Sequence, residues 1–204
     1  MIEVTVLVMM QSSLGTEAPI IGPPRINIFS FSGSLYPPHK GIKSLIIDLR
    51  NNGGGLVDQC LDIADLIVPK GATTLITVDK EKNEEVSKSN KEPIINMPIV
   101  VLVNEYTASA SEILTGAIKE NVEASVVGTT TYGKGVIQTV ITLTDGSGLK
   151  ITTAEYFTPN GTGINKKGIK PDIEVELPDT VKSIYSVKEN EDTQLKKAIE
   201  ELSK

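Results

Sequence analysis

The sequence has one cysteine, one histidine and no tryptophan among its 204 residues. A single cysteine, Cys60, excludes an intramolecular disulfide and says little about the redox compartment. Cys60 lies in a helical apolar pattern with Leu56 and Ile63, so we expect a buried core thiol. With so few histidines and cysteines there is no spacing typical of a metal site, and neither a metal nor a cofactor is predicted.

Long apolar runs and an excess of positive charge are also absent. The longest apolar runs, such as PIVVLV, fall far short of the ~20 residues of a membrane-spanning helix. The start, MIEVTVLVMM, has no basic leader and carries Glu3, so it is a poor signal peptide. The net charge of −6 argues against nucleic acid or an anionic membrane as the main partner. The remaining composition, 39% hydrophobic and 23% charged, is ordinary for a globular protein.

Strand-like and helical patterns alternate between residues 43 and 127. KSLIIDL, MPIVVLVN and ASVVG are short β-rich runs, and the first two are typical of strands buried on both faces. LVDQCLDIADLIV and ASASEILTGAIKEN repeat apolar residues at helical spacing, and Pro69 and Gly71 are expected to end the first helix. This alternation predicts a parallel α/β core.

The other segments are mostly β-rich. ATTLITVDK predicts a strand, and the charged run 79–92 predicts a solvated hairpin or loop. Residues 136–168 are strongly β, with turn signals at Asp145-Gly146 and Asn160-Gly161. DTQLKKAIEELSK predicts an amphipathic helix near the end.

The first part of the chain is less regular. Residues 1–24 combine an apolar run, expected as a strand, with a loop rich in turn formers. RINIFSF alternates and predicts a strand. SGSLYPPHKG is turn-like, because Pro37 and Pro38 prevent a regular helix.

The segment VVGTTTYGKGV, residues 126–136, comes close to the phosphate loop G-x-x-x-x-G-K-[ST]. Gly128, Gly133 and Lys134 fit, but Gly135 replaces the hydroxyl residue that would contact Mg²⁺. The following VIQTVITLT is rich in β-branched residues, so a strand stands where a nucleotide site needs a helix. Nucleotide binding is therefore not predicted. Lys134 is left as either a solvated turn lysine or a functional amine.

Ser109 marks the start of the second predicted helix, after the strand IVVLV and the turn NEYTA. The free backbone N–H groups of a helix N-terminus can hold an oxyanion, which makes Ser109 a candidate nucleophile. The stretch from Ser109 to Glu112 also fits the capping box S-x-x-E. On this feature alone, a capping role is favoured over a nucleophilic one.

A nucleophilic serine needs a base, and His39 in YPPHK has no supporting motif. Lysine can serve when burial makes the neutral amine accessible. Lys134, between two glycines and beside β-rich segments, is a candidate. Gln138 lies four residues further on. An even separation in a strand places two side chains on one face, so its amide oxygen is a candidate for orienting the amine.

Four motifs together resemble the carboxy-terminal processing proteases, or tail-specific proteases, which are Ser/Lys peptidases. They are LIIDLRNNGGG, VVLVNEYTASASEILTGAI, VVGTTTYGKGVIQT and TAEYFTPNGTGINKKGIKPDIEVEL. The resemblance extends in order from about residue 25 to residue 178. It implies an α/β fold with the β-spiral core of the crotonases and Clp proteases, parallel strands, packed helices and a β-rich C-terminal part.

The resemblance also implies roles for single residues. Ser109 corresponds to the nucleophile, Lys134 to its general base and Gln138 to the residue that positions the lysine. The oxyanion donors are expected to be the N–H of Ala110 and an N–H of the GGG turn, best assigned to Gly55. No metal or cofactor is required. Asp48 and Arg50, two residues apart at a strand end, are expected to form a structural ion pair instead.

The expected domain organisation is an atypical segment 1–24, a protease core 25–178 and a tail 179–204 with a helix. Family members usually carry a PDZ domain and a further helix in the N-terminal part, and neither is expected here. We therefore expect an altered or truncated member with weak or unregulated activity. The apolar surface left uncovered is a candidate for self-association into a homo-oligomer.

The leading hypothesis is a serine-type endopeptidase that cleaves polypeptides near their C-termini. Its expected partners are C-terminal tails or unfolded segments, not nucleic acid, and its expected location is the bacterial cell envelope, periplasmic or secreted. The alternative is an inactive binding or assembly module with the same fold. A crotonase-like acyl-transforming enzyme is a third possibility, but nothing beyond the shared architecture suggests a coenzyme A site.

Overall fold

The computed structural model describes residues 4–8, 43–181, 184 and 187–204. In chain order its elements are β1 (Val4–Val8), β2 (Ser44–Asp48), α1 (Val57–Ala64), β3 (Thr73–Asp79), β4 (Glu84–Lys88), β5 (Ile99–Val103), α2 (Ala110–Asn121), β6 (Ala124–Gly128), β7 (Val136–Thr142), β8 (Gly148–Phe157), β9 (Ile173–Glu174) and α3 (Thr193–Glu201). The predicted strand RINIFSF, the turn-like segment after it and His39 lie outside the described residues.

A five-stranded parallel sheet forms the centre of the fold, in the order β1-β2-β5-β6-β9. Every residue of β2 and β5 is buried, as expected for apolar strands covered on both faces. The helices α1 and α2 connect these strands in the predicted alternation, so the parallel α/β core is confirmed. The β3–β4 hairpin is inserted between α1 and β5.

Helices cover both faces of the parallel sheet. The larger core cluster joins one sheet face to α1 and α2, with members that include Leu45, Ile47, Val101, Ile113 and Ala117. A smaller cluster joins the other face to α3. Its buried members are Ile46, Val100, Leu102, Val127 and Ala198. The thiol of Cys60 belongs to the larger cluster, as predicted.

A second, four-stranded sheet is antiparallel, in the order β4-β3-β8-β7. The charged run forms the exposed outer strand β4 of a hairpin, in agreement with the sequence. The turn signal at Asp145-Gly146 lies between β7 and β8. The mixed α/β class with a β-rich C-terminal part is therefore confirmed.

One helix end differs from its prediction. The helix α1 ends at Ala64 and does not reach Pro69. The chain continues in tighter turns, in which Leu66 N donates to Ile63 O and Ile67 N to Ala64 O. Pro69 has no N–H to donate to Asp65 O, and in a continuing helix its ring would clash with that carbonyl, so the chain leaves the helix before Pro69.

The predicted ion pair between Asp48 and Arg50 is present and buried, with 2.6 Å between Arg50 Nη2 and Asp48 Oδ2. The same guanidinium also pairs with Asp192, which caps α3 through its bond from Leu195 N. Burial opposes the charged form of Arg50, but the two carboxylates raise its pKa. Through its ion pairs with Asp48 and Asp192, Arg50 thus links the end of β2 to the N-terminus of α3.

Candidate active site

Three loops meet at the carboxyl ends of the adjacent parallel strands β2, β5 and β6. They comprise residues 49–56, 104–109 and 129–135, and they contain all of the predicted site residues except Ala110 and Gln138. In open parallel sheets this edge is the usual place for a binding site.

Hydrogen bonds hold the three loops to one another. The side chains of Asn104 and Asn51 are joined at 2.7 Å, and Asn104 Oδ1 also accepts from Asn51 N. The hydroxyl of Thr107 donates to Leu49 O. The backbone of Thr107 accepts from Tyr132 N at 3.0 Å. The relative positions of the loops are therefore fixed by the protein itself.

Ser109 occupies the turn that leads into α2, with φ 57° and ψ −123°. A residue with a Cβ rarely adopts this conformation, which costs about 1–3 kcal/mol and is found mainly at functional sites. The strained turn sets Ser109 at the N-terminus of the helix, where the backbone N–H groups converge. Its own N–H donates to Glu112 at 2.9 Å. This bond from the N-cap backbone to the Glu112 side chain is one of the two contacts of the capping box predicted from the sequence.

Glu112 is fully buried and accepts four hydrogen bonds. Its Oε2 accepts from Ser109 N and Lys134 N, each at 2.9 Å. Its Oε1 accepts from Gly133 N and from the hydroxyl of Thr131. A carboxylate makes stronger hydrogen bonds than a neutral acceptor does. Glu112 therefore joins the serine turn to the lysine loop through a single side chain.

Lys134 is half-buried in the loop before β7. The backbone N atoms of Lys134 and Ser109 lie close together, because both donate to Glu112 Oε2 at 2.9 Å. Within residues 43–181, no carboxylate forms an ion pair with its amine, and no hydrogen bond joins Lys134 Nζ to Ser109 Oγ. The backbones of the two residues are therefore adjacent, although their functional atoms are not hydrogen-bonded to each other.

The GGG turn lies directly against Ser109. A Cβ on Gly54 would lie 2.7 Å from Ala110 N and 2.9 Å from Ser109 Cβ, and Gly54 has φ +93°. Only glycine fits this position. Gly54 N donates to Asn52 Oδ1. By contrast, Gly55 N and Ala110 N donate to no acceptor in the described part of the chain.

Two buried side chains support the serine turn from behind. The hydroxyl of Tyr156 donates to Ser109 O, and Cys60 Sγ donates to Ala110 O, both at 3.1 Å. Burial, followed by the charge of Glu112, strongly raises the pKa of Tyr156. Burial also raises the pKa of Cys60 to about 12. Both groups are thus uncharged donors.

Comparison with known proteins agrees with this geometry. The model of peptidase family S41 matches residues 29–175, which is most of the chain. The chain belongs to peptidase family S41.

The resemblance to the carboxy-terminal processing proteases is confirmed by two curated bacterial relatives. One is the carboxy-terminal processing protease CtpA of Bacillus subtilis, 44% identical over 72% of this chain and 31% of its own length. The other is a carboxyl-terminal-processing protease of Synechocystis, 47% identical over 68% of this chain and 32% of its own.

The fold of this S41 chain also resembles a solved structure. The photosystem II D1 C-terminal processing protease superposes with a TM-score of 0.62 and 42% identity, over 68% of this chain and 36% of that chain. The chain thus spans about a third of the length of the relatives it matches. No helix among its described residues is long and apolar enough to cross a membrane. Nor do those residues contain a cluster of three metal-ligating side chains.

The placement of Gln138 corrects one argument from the sequence. Lys134 precedes β7, and the ladder between β7 and β8 shifts register between Ile137 and Gln138. The two side chains are therefore not on one face of a regular strand, so that argument was wrong. Gln138 is exposed, and in the described residues its amide makes no hydrogen bond to Lys134. Its role in this S41 site stays a prediction from the resemblance.

Sequence reasoning missed two residues of the site. Glu112 was noticed only as the end of a capping box, and Tyr156 not at all. A signal for Glu112 was available: it is followed directly by the apolar residues ILTGAI of a helix predicted to pack on the core. Carboxylates are rarely buried unless they are paired, so this position pointed to partners elsewhere in the chain.

Proposed function

We propose that this S41 chain is a serine-type peptidase in which Ser109 is the nucleophile and Lys134 its general base. The observation that supports it most is the Glu112 carboxylate, which holds the backbones of both residues on one oxygen. Lys134, in its neutral form, takes the proton of Ser109 as the hydroxyl attacks a peptide carbonyl. It then protonates the leaving amine, and water hydrolyses the acyl-enzyme.

The oxyanion of the tetrahedral intermediate would lie at the N-terminus of α2. We assign its donors to Ala110 N and Gly55 N, because both N–H groups lack an acceptor within residues 43–181. Two preorganised backbone donors at a helix N-terminus are a common way to stabilise this charge. No step requires a metal or a cofactor.

Gln138 is proposed as the residue that positions the amine of Lys134. Its amide is exposed at the start of β7 and is not engaged with the lysine. Because no hydrogen bond joins Ser109 Oγ to Lys134 Nζ in the described chain, we expect weak hydrolysis until substrate binding aligns them.

Residues 25–178 are proposed as the peptidase core, and 179–204 as a tail that returns to the core through α3. The names of the relatives support polypeptides as substrates, cleaved near their C-termini. By the same similarity we propose a bacterial, extracytoplasmic protein.

The test is hydrolysis of an unfolded protein, such as reduced casein, by the parent chain and by single variants. Ser109→Ala and Lys134→Ala are each expected to lower kcat by at least about 1,000-fold. The matched control is Ser111→Ala, which removes the other serine of TASASE and is expected to retain activity within about threefold. A Lys134→Ala variant with unchanged kcat would remove the lysine from the mechanism.

A second candidate is a binding or assembly module without catalysis. The observation in its favour is the missing hydrogen bond between Ser109 and Lys134 in the described chain. A folded parent chain that binds unfolded protein and does not hydrolyse it would support this alternative. Hydrolysis that depends on both Ser109 and Lys134 would exclude it.

A further inference from the structure

Tyr156 contacts both halves of the candidate active site from outside its three loops. It lies in β8 of the antiparallel sheet, and 2% of its surface is accessible. Its hydroxyl donates to Ser109 O at 3.1 Å, and its backbone N–H donates to Gly135 O at 3.0 Å. Gly135 directly follows Lys134 in the chain. One residue of the antiparallel sheet is therefore bonded to the serine turn by its side chain and to the lysine loop by its backbone.

The carbonyl that accepts from Tyr156 belongs to the same peptide unit as a proposed oxyanion donor. A trans peptide unit is planar, and its C=O and N–H point in opposite directions. A donor that fixes the direction of Ser109 O therefore also fixes the direction of Ala110 N–H. The Ala110 N–H has no acceptor in the described part of the chain, so it is available to a substrate oxygen.

Among the described residues, Ser109 O accepts three hydrogen bonds, and these come from two different elements. Glu112 N and Ile113 N donate to it at 2.8 and 3.1 Å, and both belong to α2. The third donor, the Tyr156 hydroxyl, belongs to β8. The two helix bonds align the peptide with α2, whereas the tyrosine bond aligns it with the antiparallel sheet and the lysine loop.

The bond from Tyr156 is made where the backbone is strained. Ser109 has φ 57° and ψ −123°, and such a conformation persists only where the surrounding structure holds it. Its N–H is held by the Glu112 carboxylate, and its C=O is held by the Tyr156 hydroxyl. Without the tyrosine bond, the C=O side of the turn would lose its restraint from outside α2.

The Tyr156 hydroxyl is also suited to be a permanent donor. Burial, followed by the charge of Glu112, strongly raises its pKa, so the hydroxyl keeps its proton. A hydrogen bond accepted by the C=O of an amide polarises the amide and strengthens donation from its N–H. The bond to Ser109 O therefore affects both the direction and the donor strength of Ala110 N–H.

We infer that Tyr156 is a positioning residue for peptide hydrolysis, whose hydroxyl orients and polarises the Ser109–Ala110 peptide so that Ala110 N–H donates to the oxyanion. Tyr156 is buried behind the serine turn, so its effect reaches the reaction through this peptide and not by contact with the substrate. The effect is largest in the transition state, because the oxyanion forms there. The inference rests on the proposed peptidase function.

Tyr156→Phe tests this role, because it removes the hydroxyl and keeps the ring. Ser109 O retains its two donors from α2, so no buried acceptor is left without a partner. The substrate is fluorescein-labelled reduced casein. We expect kcat to fall about tenfold, less than the loss of an oxyanion donor itself, and KM to stay within about twofold. A loss confined to kcat is typical of an interaction made only in the transition state.

Thr74→Val is a matched control in the same sheet. Thr74 is also 2% exposed, and its hydroxyl donates to a backbone carbonyl, Ser87 O, at 3.2 Å. The variant removes a buried bond of the same kind, but one that leads to β4 and not to the serine turn. Its melting temperature should fall as in Tyr156→Phe, whereas its kcat should stay within about twofold of the parent. Equal kcat values for the two variants would overturn the inference.

Amide hydrogen exchange tests the positioning without any chemistry at the serine. In Tyr156→Phe, exchange at Ser109 N–H should become at least about tenfold faster, because the turn opens more often when its C=O is released. Exchange at Val101 N–H in the buried strand β5 corrects for a change in global stability. Unchanged exchange at Ser109 relative to Val101 would contradict the inference, even if the parent chain hydrolyses no casein.

A second variant carries the test if Tyr156→Phe leaves a cavity that prevents folding. Replacing Tyr156 by 4-fluorophenylalanine fills the volume of the hydroxyl and also removes the donor, so kcat should again fall about tenfold. A parental kcat in either variant would reject the positioning role.

Failure of the inference and failure of the proposed function give different results. Casein hydrolysis that persists in Ser109→Ala would reject the proposed peptidase site itself. Hydrolysis that requires Ser109 and Lys134 but keeps its kcat in Tyr156→Phe would leave the peptidase proposal intact and reject the role of Tyr156.

Discussion

The backbone N–H groups of Ser109 and Lys134 donate to the same atom, Oε2 of Glu112, at 2.9 Å each. The residues are far apart in the chain, and the shared acceptor places their loops side by side. Glu112 is buried and cannot exchange these bonds for water without moving the loops. The spacing between the candidate nucleophile and the candidate base thus depends on one carboxylate.

Replacing Glu112 by Gln should separate the two loops. In Glu112→Gln, the side-chain NH2 group takes the place of one carboxylate oxygen, and each of these oxygens now accepts from at least one backbone N–H. That N–H would lose its acceptor, and each buried donor left unsatisfied costs about 1–3 kcal/mol. We expect kcat to fall about 100-fold, the effect of a displacement of roughly 1 Å, with little change in KM. The control is Glu120→Gln on the same helix, where one exposed bond from Asn160 N is affected. Full activity of Glu112→Gln would refute the positioning role.

Substitution by alanine should strongly destabilise the protein at Gly54 but have little effect on stability at the adjacent Gly55. A Cβ on Gly54 would lie 2.6 Å from Ala108 O, whereas a Cβ on Gly55 meets no atom within 4 Å. Gly54→Ala is expected to destabilise the protein by about 3 kcal/mol or more and to abolish hydrolysis. Gly55→Ala keeps its N–H and should change stability by less than about 0.5 kcal/mol. Thermal unfolding of both variants tests this, and similar melting temperatures would contradict it.

The buried thiol of Cys60 should make stability fall at alkaline pH. Burial raises its pKa to about 12 in the folded protein, above the ~8.5 of an exposed thiol. The stabilisation is fully present below pH ~8.5 and is lost as pH rises towards 12, because the unfolded chain ionises first. Between pH 7 and pH 10, the free energy of unfolding should fall by about 2 kcal/mol more in the parent than in Cys60→Ala. Urea unfolding at both pH values measures this difference, and the same loss in the two proteins would disprove it.

Asp192 should matter more for stability than its place near the chain end suggests. It pairs with the buried Arg50 and also caps α3 through Leu195 N. Asp192→Ala leaves a buried guanidinium with one partner fewer, which costs about 3–5 kcal/mol. The exposed neighbour Glu189 provides the control, since Glu189→Ala should be nearly neutral. Chemical denaturation compares the two, and equal stabilities would show that α3 is not anchored by this pair.

Much of the fold could be predicted from local patterns. The apolar runs of β2 and β5 and the helical spacing of α1 and α2 predicted the parallel core, because both patterns reflect burial on known faces. Ser109 was located for the same reason: a strand, a turn and a capping pattern together mark a helix N-terminus. These inferences needed only neighbouring residues.

The contacts that complete the site could not be predicted in this way. The bonds from Glu112 to Gly133 and Lys134 link segments brought together by packing of α2 against the sheet. The separation of Lys134 and Gln138 suggested a shared strand face, but the strand begins after the lysine and its register shifts. Irregularities of this kind depend on the partner strand, which sequence spacing does not describe.

Labelling with a fluorophosphonate shows whether Lys134 activates Ser109, because this reagent modifies a serine activated by a neighbouring base. We expect one adduct per parent chain, located by peptide mapping at Ser109. Lys134→Ala should slow the labelling at least about 100-fold, and Ser111→Ala should leave it unchanged. Labelling at another serine, or labelling of Ser109 at the same rate without Lys134, would contradict the assignment of the Ser109–Lys134 pair.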